Sequence, residues 1–190
     1  MRIISGKYKG HRIQAPSPQT TRPTTDRVRE TLFNILNNII DFEGIKVLDI
    51  YSGSGSLGLE FLSRGASIVH FIEKNYSAYN ILLGNINKIG VQEQVRIFKV
   101  DAIKYVQTTA EKYDIVIADP PFFKFDIYDV VKGVFEKDLL NDDGMMIIER
   151  SIQTAEKDKE NFLKEPYKRI GDTLLYFFNK NDMVKNENDN

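Results

Sequence analysis

From Ile45 onward the chain repeats one pattern: a short apolar run, a turn carrying glycine or an acid, then a stretch whose apolar residues recur at helical spacing. The runs predict strands at 46–50, 68–73, 95–100, 114–118, 145–149, 168–170 and 173–179. Helices are predicted at 57–64, 76–89, 127–139 and 155–163. Strands that alternate with helices, and are apolar on both faces, form a mainly parallel doubly wound α/β sheet. Gly171-Asp172 is a tight-turn signal between the last two strands, so the sheet should end in an antiparallel hairpin. In such a sheet the ligand lies beyond the carboxyl ends of the strands.

The first forty residues follow a different pattern. Residues 2–13 alternate around Ser5-Gly6 and Lys9-Gly10, which reads as a small β-hairpin, and Pro16, Pro18 and Pro23 mark an extended connector. Thr24-Thr25-Asp26 offers N-caps for a helix with an apolar stripe of Val28, Leu32, Ile35, Leu36, Ile39 and Ile40, leaving Arg27 and Arg29 available near its start. The expected organisation is a hairpin and connector over 1–23, a catalytic domain with its leading helix over 24–180, and a disordered tail over 181–190 rich in Asn, Asp, Glu and Lys.

Charge sharpens this division. The net charge is −1, yet residues 1–30 carry Arg2, Lys7, Lys9, Arg12, Arg22, Arg27 and Arg29 against Asp26 and Glu30, so a +5 arm precedes a −6 body. A segregated basic arm is an electrostatic footprint for a polyanion, and also the pattern of a solvated hairpin. With 42% hydrophobic and 28% charged residues, the composition is that of a soluble globular protein. No apolar run reaches the roughly 20 residues of a membrane span, and Met1 to Gly6 does not open a signal peptide, so a cytoplasmic chain is expected. The absence of cysteine excludes disulfides, Cys-ligated zinc and thiol nucleophiles. His11 and His70 are too few and too separated for a triad or a metal site; His11 reads as solvated and His70 as structural.

The chemistry gathers at strand ends. Gly53-Ser54-Gly55-Ser56-Leu57-Gly58 follows the first parallel strand and has the G-x-G-x-x-G spacing of a dinucleotide loop. Asp49, just before it, would repel a pyrophosphate and favour a ligand with ammonium and sulfonium centres, which points to S-adenosylmethionine rather than NAD. Glu73 ends the second strand, where an acid can accept both ribose hydroxyls, and Asp101-Ala102 follows the third, where a carboxylate can accept from an adenine amine while Ile103 covers the base. Each acid alone could cap a turn. The fourth strand ends in Asp119-Pro120-Pro121-Phe122: two prolines fix the backbone, Asp119 and the Pro120 carbonyl face outward as acceptors, and Phe122 can stack on a planar base. Alternatively, Pro-Pro simply ends the strand.

With these residues in place the chain resembles the S-adenosylmethionine-dependent methyltransferases that act on exocyclic amines. More narrowly it resembles the bacterial RsmD family, which methylates a guanine N2 in 16S ribosomal RNA. The resemblance runs through Arg2-Ile3-Ile4, the segment from Arg22 to Asn34, the glycine loop and Asp119-Pro120-Pro121-Phe122, up to about Asn179. The segment from Arg22 to Asn34 is its most specific part. Tyr51-Ser52 stands where the family often has Phe-Ala, and Ser5 where it often has Gly.

The resemblance implies a Rossmann-like class I methyltransferase fold and S-adenosylmethionine as cofactor. Its cofactor site would comprise Asp49, Ser52, Gly53, Gly55, Gly58, Glu73, Lys74, Asp101, Ala102 and Asp119, and its catalytic group Asp119, Pro120, Pro121 and Phe122. RNA contacts would fall on Arg2, Lys7, Lys9, Arg12, Arg22, Arg27 and Arg29, chiefly to phosphate. The implied partner is 16S rRNA within a small ribosomal subunit or assembly intermediate, met by a monomer without a metal. The rival readings are a DNA adenine-N6 or cytosine-N4 methyltransferase, which usually carries more mass for reading sequence, and a non-catalytic nucleotide-binding or NAD-linked module.

Overall fold

The computed structural model describes residues 1–15, 26–121, 124–180 and 182. Along the chain run α1 (Asp26–Leu36), β1 (Lys46–Ile50), α2 (Ser56–Arg64), β2 (Ile68–Ile72), α3 (Tyr76–Ile89), β3 (Val95–Phe98), α4 (Ala102–Thr108), β4 (Tyr113–Ala118), α5 (Ile127–Glu136), β5 (Leu140–Ser151), α6 (Ala155–Phe162), β6 (Lys168–Ile170) and β7 (Thr173–Asn179). The sheet order is β3-β2-β1-β4-β5-β7-β6. Strands β1 to β5 pair in parallel, and β7 runs antiparallel to both β5 and β6. This is the Rossmann-like class I methyltransferase architecture with its C-terminal hairpin.

The central strands are largely apolar because both faces are covered. Successive side chains alternate, so Val47, Val69, Ile115, Ile117, Ile147 and Phe177 pack under α1, α2 and α3. Leu48, Ile50, Val116, Met146, Ile148 and Phe178 pack under α4, α5 and α6. Among the described residues, no helix is long and apolar enough to cross a membrane.

Several expectations are corrected. The N-terminal hairpin reduces to one isolated bridge, Arg2 to Arg12, because turns occupy the segment between them. Helix α1 stops at Leu36, leaving Ile39 47% exposed, while Phe33, absent from the expected stripe, is fully buried with its ring 4.9 Å from that of Phe61. Strand β5 starts five residues earlier than expected, at Leu140 paired with Tyr113, with a register shift before Met145. Helix α4 was not anticipated; it is only seven residues long, and the Asp101 carboxylate caps it by accepting from the Ile103 amide at 3.0 Å. Pro16, Pro18, Pro23 and the caps Thr24 and Thr25 lie outside the described residues, as does the tail except Asp182. The Asp182 carboxylate accepts from Lys164 (2.6 Å) and from the Asn179 amide (2.8 Å).

Two polar clusters sit inside this frame. His70 on β2 is buried against the Tyr113 hydroxyl (2.9 Å), and burial lowers its pKa to about 4, consistent with a structural histidine. Arg150 on β5 and Asp158 on α6 form an ion pair with both side chains fully buried (Nε to Oδ1 3.0 Å), which Thr154 and Tyr128 complete by donating to the same carboxylate. Removing one member of a buried pair strands the other charge. Asp158→Ala is therefore expected to lower unfolding stability by about 3–5 kcal/mol, read by urea denaturation.

Candidate active site

The sheet reverses direction of growth between β1 and β4, the switch point at whose strand ends such sheets form their ligand crevice. Asp49, Glu73, Asp101 and Asp119 all stand at that edge, from β1, β2, β3 and β4 respectively. Asp49 is 1% exposed, and its Oδ2 accepts from the Gly58 amide at 2.9 Å. Burial pushes its pKa up to about 8 against the opposing Gly58 hydrogen bond, and the negative charges of Asp119 and Glu73 push the same way. A cation placed in the crevice would relieve all three effects, so the donor set fits a ligand with an ammonium and a sulfonium centre and opposes a pyrophosphate.

The loop after β1 is tied down by its own backbone. Ser52 Oγ donates to the Asp49 and Ile72 carbonyls (2.8 and 3.1 Å), and the Gly55 amide donates to the Ser52 carbonyl (2.7 Å). Gly58 lies so close to β2 that a Cβ there would fall 2.3 Å from the Phe71 ring. Glu73 uses one oxygen on the Gly53 amide (2.9 Å) and the other on the Asn75 amide (2.7 Å), so it shapes the loop as well as facing the crevice. Asp101 is likewise engaged: besides capping α4 it pairs with Lys74 at 3.0 Å, and any ligand amine must share its oxygens. Ala102 is buried at the first turn of α4.

At the end of β4, Asp119 is half-buried, Pro120 buried and Pro121 exposed. The Pro121 carbonyl accepts from the Lys124 amide at 2.9 Å. Phe122 lies outside the described residues.

The basic arm is docked on the sheet's helices. Glu60 of α2 accepts from the Ile4 and Ser5 amides (2.7 and 3.0 Å), and Ser63 accepts from the Lys7 amide through its carbonyl (2.6 Å) and from the Tyr8 amide through its hydroxyl (2.9 Å). Arg2, Lys7, Lys9, Arg12 and Arg27 are exposed on this scaffold. Arg29 is not: it is 0% exposed, donating to the Arg2 carbonyl (2.7 Å) and to Asp26 (2.9 Å), and burial lowers its pKa despite Asp26, Glu60 and Glu149 nearby. The expectation that Arg29 meets RNA is corrected, since it pins the arm from inside. Arg22 lies outside the described residues.

The sequence reading missed Asn85. Its side chain, 2% exposed on α3, accepts from the Gln14 amide (2.8 Å) and donates to the Gln14 and Ser54 carbonyls (2.9 Å each). One amide thus joins the arm to the glycine loop. Its polar place among Leu82, Ile86 and Ile89 was the available signal.

This geometry agrees with the comparisons. The family model described as "Conserved hypothetical protein 95" matches residues 1–179. The chain belongs to that family. It is 30% identical over 178 residues to "Putative rRNA methyltransferase YlbH" of Bacillus subtilis, covering 92% of this chain and 90% of that one. It is 32% identical over 155 residues to "Ribosomal RNA small subunit methyltransferase D" of Escherichia coli, covering 82% and 77%. Among solved structures, "Putative methyltransferase yhhF from Escherichia coli" superimposes with a TM-score of 0.76 at 28% identity, covering 93% and 96%. The family member described here is thus a methyltransferase of the S-adenosylmethionine-dependent fold, related to the RsmD-like enzymes.

Gly6 tests how the arm is held. Its φ is +82°, and a Cβ there would lie 1.8 Å from the Ser63 carbonyl oxygen. Gly6→Ala should undock the arm, lowering stability by more than about 1 kcal/mol and exposing residues 1–15 to limited proteolysis while the sheet persists.

Proposed function

We propose that this protein transfers a methyl group from S-adenosylmethionine to the exocyclic N2 amine of a guanine in 16S ribosomal RNA. The observation that carries the reading is the pairing, across one crevice, of a buried carboxylate suited to a cationic donor (Asp49) with an acceptor carboxylate on a proline-fixed turn (Asp119-Pro120). The relatives named as ribosomal RNA methyltransferases support the substrate class. The exposed Arg2, Lys7, Lys9, Arg12 and Arg27 on a docked arm support a polyanionic partner, a small-subunit RNA or its assembly intermediate.

In this reading Asp49 would engage the donor's ammonium, Glu73 the ribose hydroxyls and Asp101 the adenine amine, with Ser52, Gly53, Gly55, Gly58, Lys74 and Ala102 shaping the pocket. When bound, S-adenosylmethionine supplies an electrophilic methyl on sulfur. A guanine amine is a weak nucleophile because its lone pair is delocalised into the ring. Asp119 and the Pro120 carbonyl accept from its two hydrogens, hold it and favour a pyramidal nitrogen aimed at the methyl. The methyl would pass from sulfur to that nitrogen, leaving S-adenosylhomocysteine, and the amine proton would go to Asp119 or to water. Positioning supplies much of the rate. The base must leave any helical stack to reach the turn, where Phe122 would stack on it.

Two measurements test this. Methylation assays with ribosomal RNA, 30S particles and DNA side by side, with nucleoside analysis of the product, should give N2-methylguanosine from ribosomal substrate; methylated DNA alone would overturn the reading. Asp119→Ala should bind the cofactor nearly normally yet lose transfer by at least about 100-fold, and near-normal turnover would refute its role.

Asp49 sets the pH dependence. Its raised pKa means the folded, ligand-free protein keeps a proton between about 4 and 8 that the unfolded chain releases, so this group's contribution to stability falls as pH rises through that window. Binding an ammonium needs the carboxylate, so affinity for S-adenosylhomocysteine should rise roughly tenfold per unit from pH 6 to 8 and then level off. Calorimetry across pH should show this slope, and Asp49→Asn should flatten it.

A further inference from the structure

Lys124 is fixed at three points. Its amide donates to the Pro121 carbonyl at 2.9 Å, its ammonium pairs with Asp126, and the same ammonium stands 4.7 Å from the centre of the Tyr51 ring. Its side chain is only 26% exposed, so the attraction between cation and ring is screened less than it would be in open solvent.

Tyr51 comes from the other half of the site. It lies between Ile50, the last residue of β1, and Ser52 of the cofactor loop, and its φ is +62°, a left-handed conformation that tyrosine rarely adopts. From that backbone position the ring lies under the Lys124 ammonium. The Tyr51 hydroxyl, Oδ1 of Asp126 and both terminal nitrogens of Arg150 are all buried. Burial raises the phenol's pKa, the Asp126 charge and hydrogen bonding toward that carboxylate add to it, and the hydroxyl stays neutral. The ring makes the contact with the Lys124 ammonium, and the hydroxyl lies beside Asp126.

We propose that Tyr51 and Lys124 form a clasp through which the cofactor loop sets the position of the turn that follows Asp119, making Lys124 a positioning residue for methyl transfer. The identity of the two ligands rests on the function proposed above; the mechanical link does not. A ligand that orders Ser52 to Gly55 fixes the adjoining Tyr51. The ring then fixes the Lys124 ammonium, and the Lys124 amide fixes the Pro121 carbonyl, one residue from the Pro120 carbonyl and two from Asp119. Donor binding would thereby place the acceptors before RNA arrives.

Hydrogen exchange with S-adenosylhomocysteine as the probe reads this link without any RNA. In the wild type, adding the probe should slow exchange of the amides between Asp119 and Asp126 at least about threefold. Tyr51→Phe keeps the ring and should retain that slowing. Lys124→Met keeps the stem without the charge; it should bind the probe within about threefold of wild type by calorimetry yet lose the slowing. Tyr51→Ala should match Lys124→Met. In turnover, Lys124→Met should lower kcat about tenfold or more with little change in KM for RNA. Slowing in Lys124→Met equal to wild type, or none in the wild type itself, overturns the clasp. Because the exchange readout needs no RNA, it stands whether or not guanine is the acceptor.

Discussion

The structure depends on keeping a carboxyl group buried where no cationic side chain among the described residues pairs with it. Asp49 sits inside the sheet edge with one backbone amide for company and two other acids nearby. A protein has little reason to hold such a group in an apolar frame unless a ligand supplies the missing charge. The surrounding architecture reads as support for that placement: parallel strands deliver the acids to one edge, Gly58 lets α2 approach closely, and Glu73 braces the loop from the neighbouring strand.

Much of the sheet was legible in the sequence because its strands are short, continuously apolar and separated by recognisable turns. The limits of β2, β4 and β7 fell within a residue of expectation, and α3 matched at both ends. Helix α4 was missed because seven residues give less than two helical repeats, so only its aspartate cap marks it. Strand β5 was underestimated because Asp142 and Asp143 interrupt its apolar pattern; its beginning is defined by pairing with Tyr113, which is a long-range fact.

The site was legible by type rather than by contact. The acids at four strand ends could be listed from spacing, but their partners could not. Arg29 shows the difference most clearly. Read as charge it belonged to the basic arm; read by helical phase it falls on the stripe of Phe33 and Leu36, four and seven positions on, and that phase is where the structure puts it. Glu60, Asn85 and Lys124 gain their roles from residues far away in sequence or across the crevice. No local pattern announces such partners.

Asn85 has a consequence for how this protein can change over generations. Its single amide spends both donors and an acceptor on two separate segments, Gln14 and Ser54. Aspartate, one atom different, would replace both donors by a repelling oxygen at two carbonyls. The basic N-terminal arm and the loop beside Asp49 are therefore not inherited as independent modules. A lineage that remodels its first fifteen residues drags this loop with it, unless it first learns to replace one asparagine.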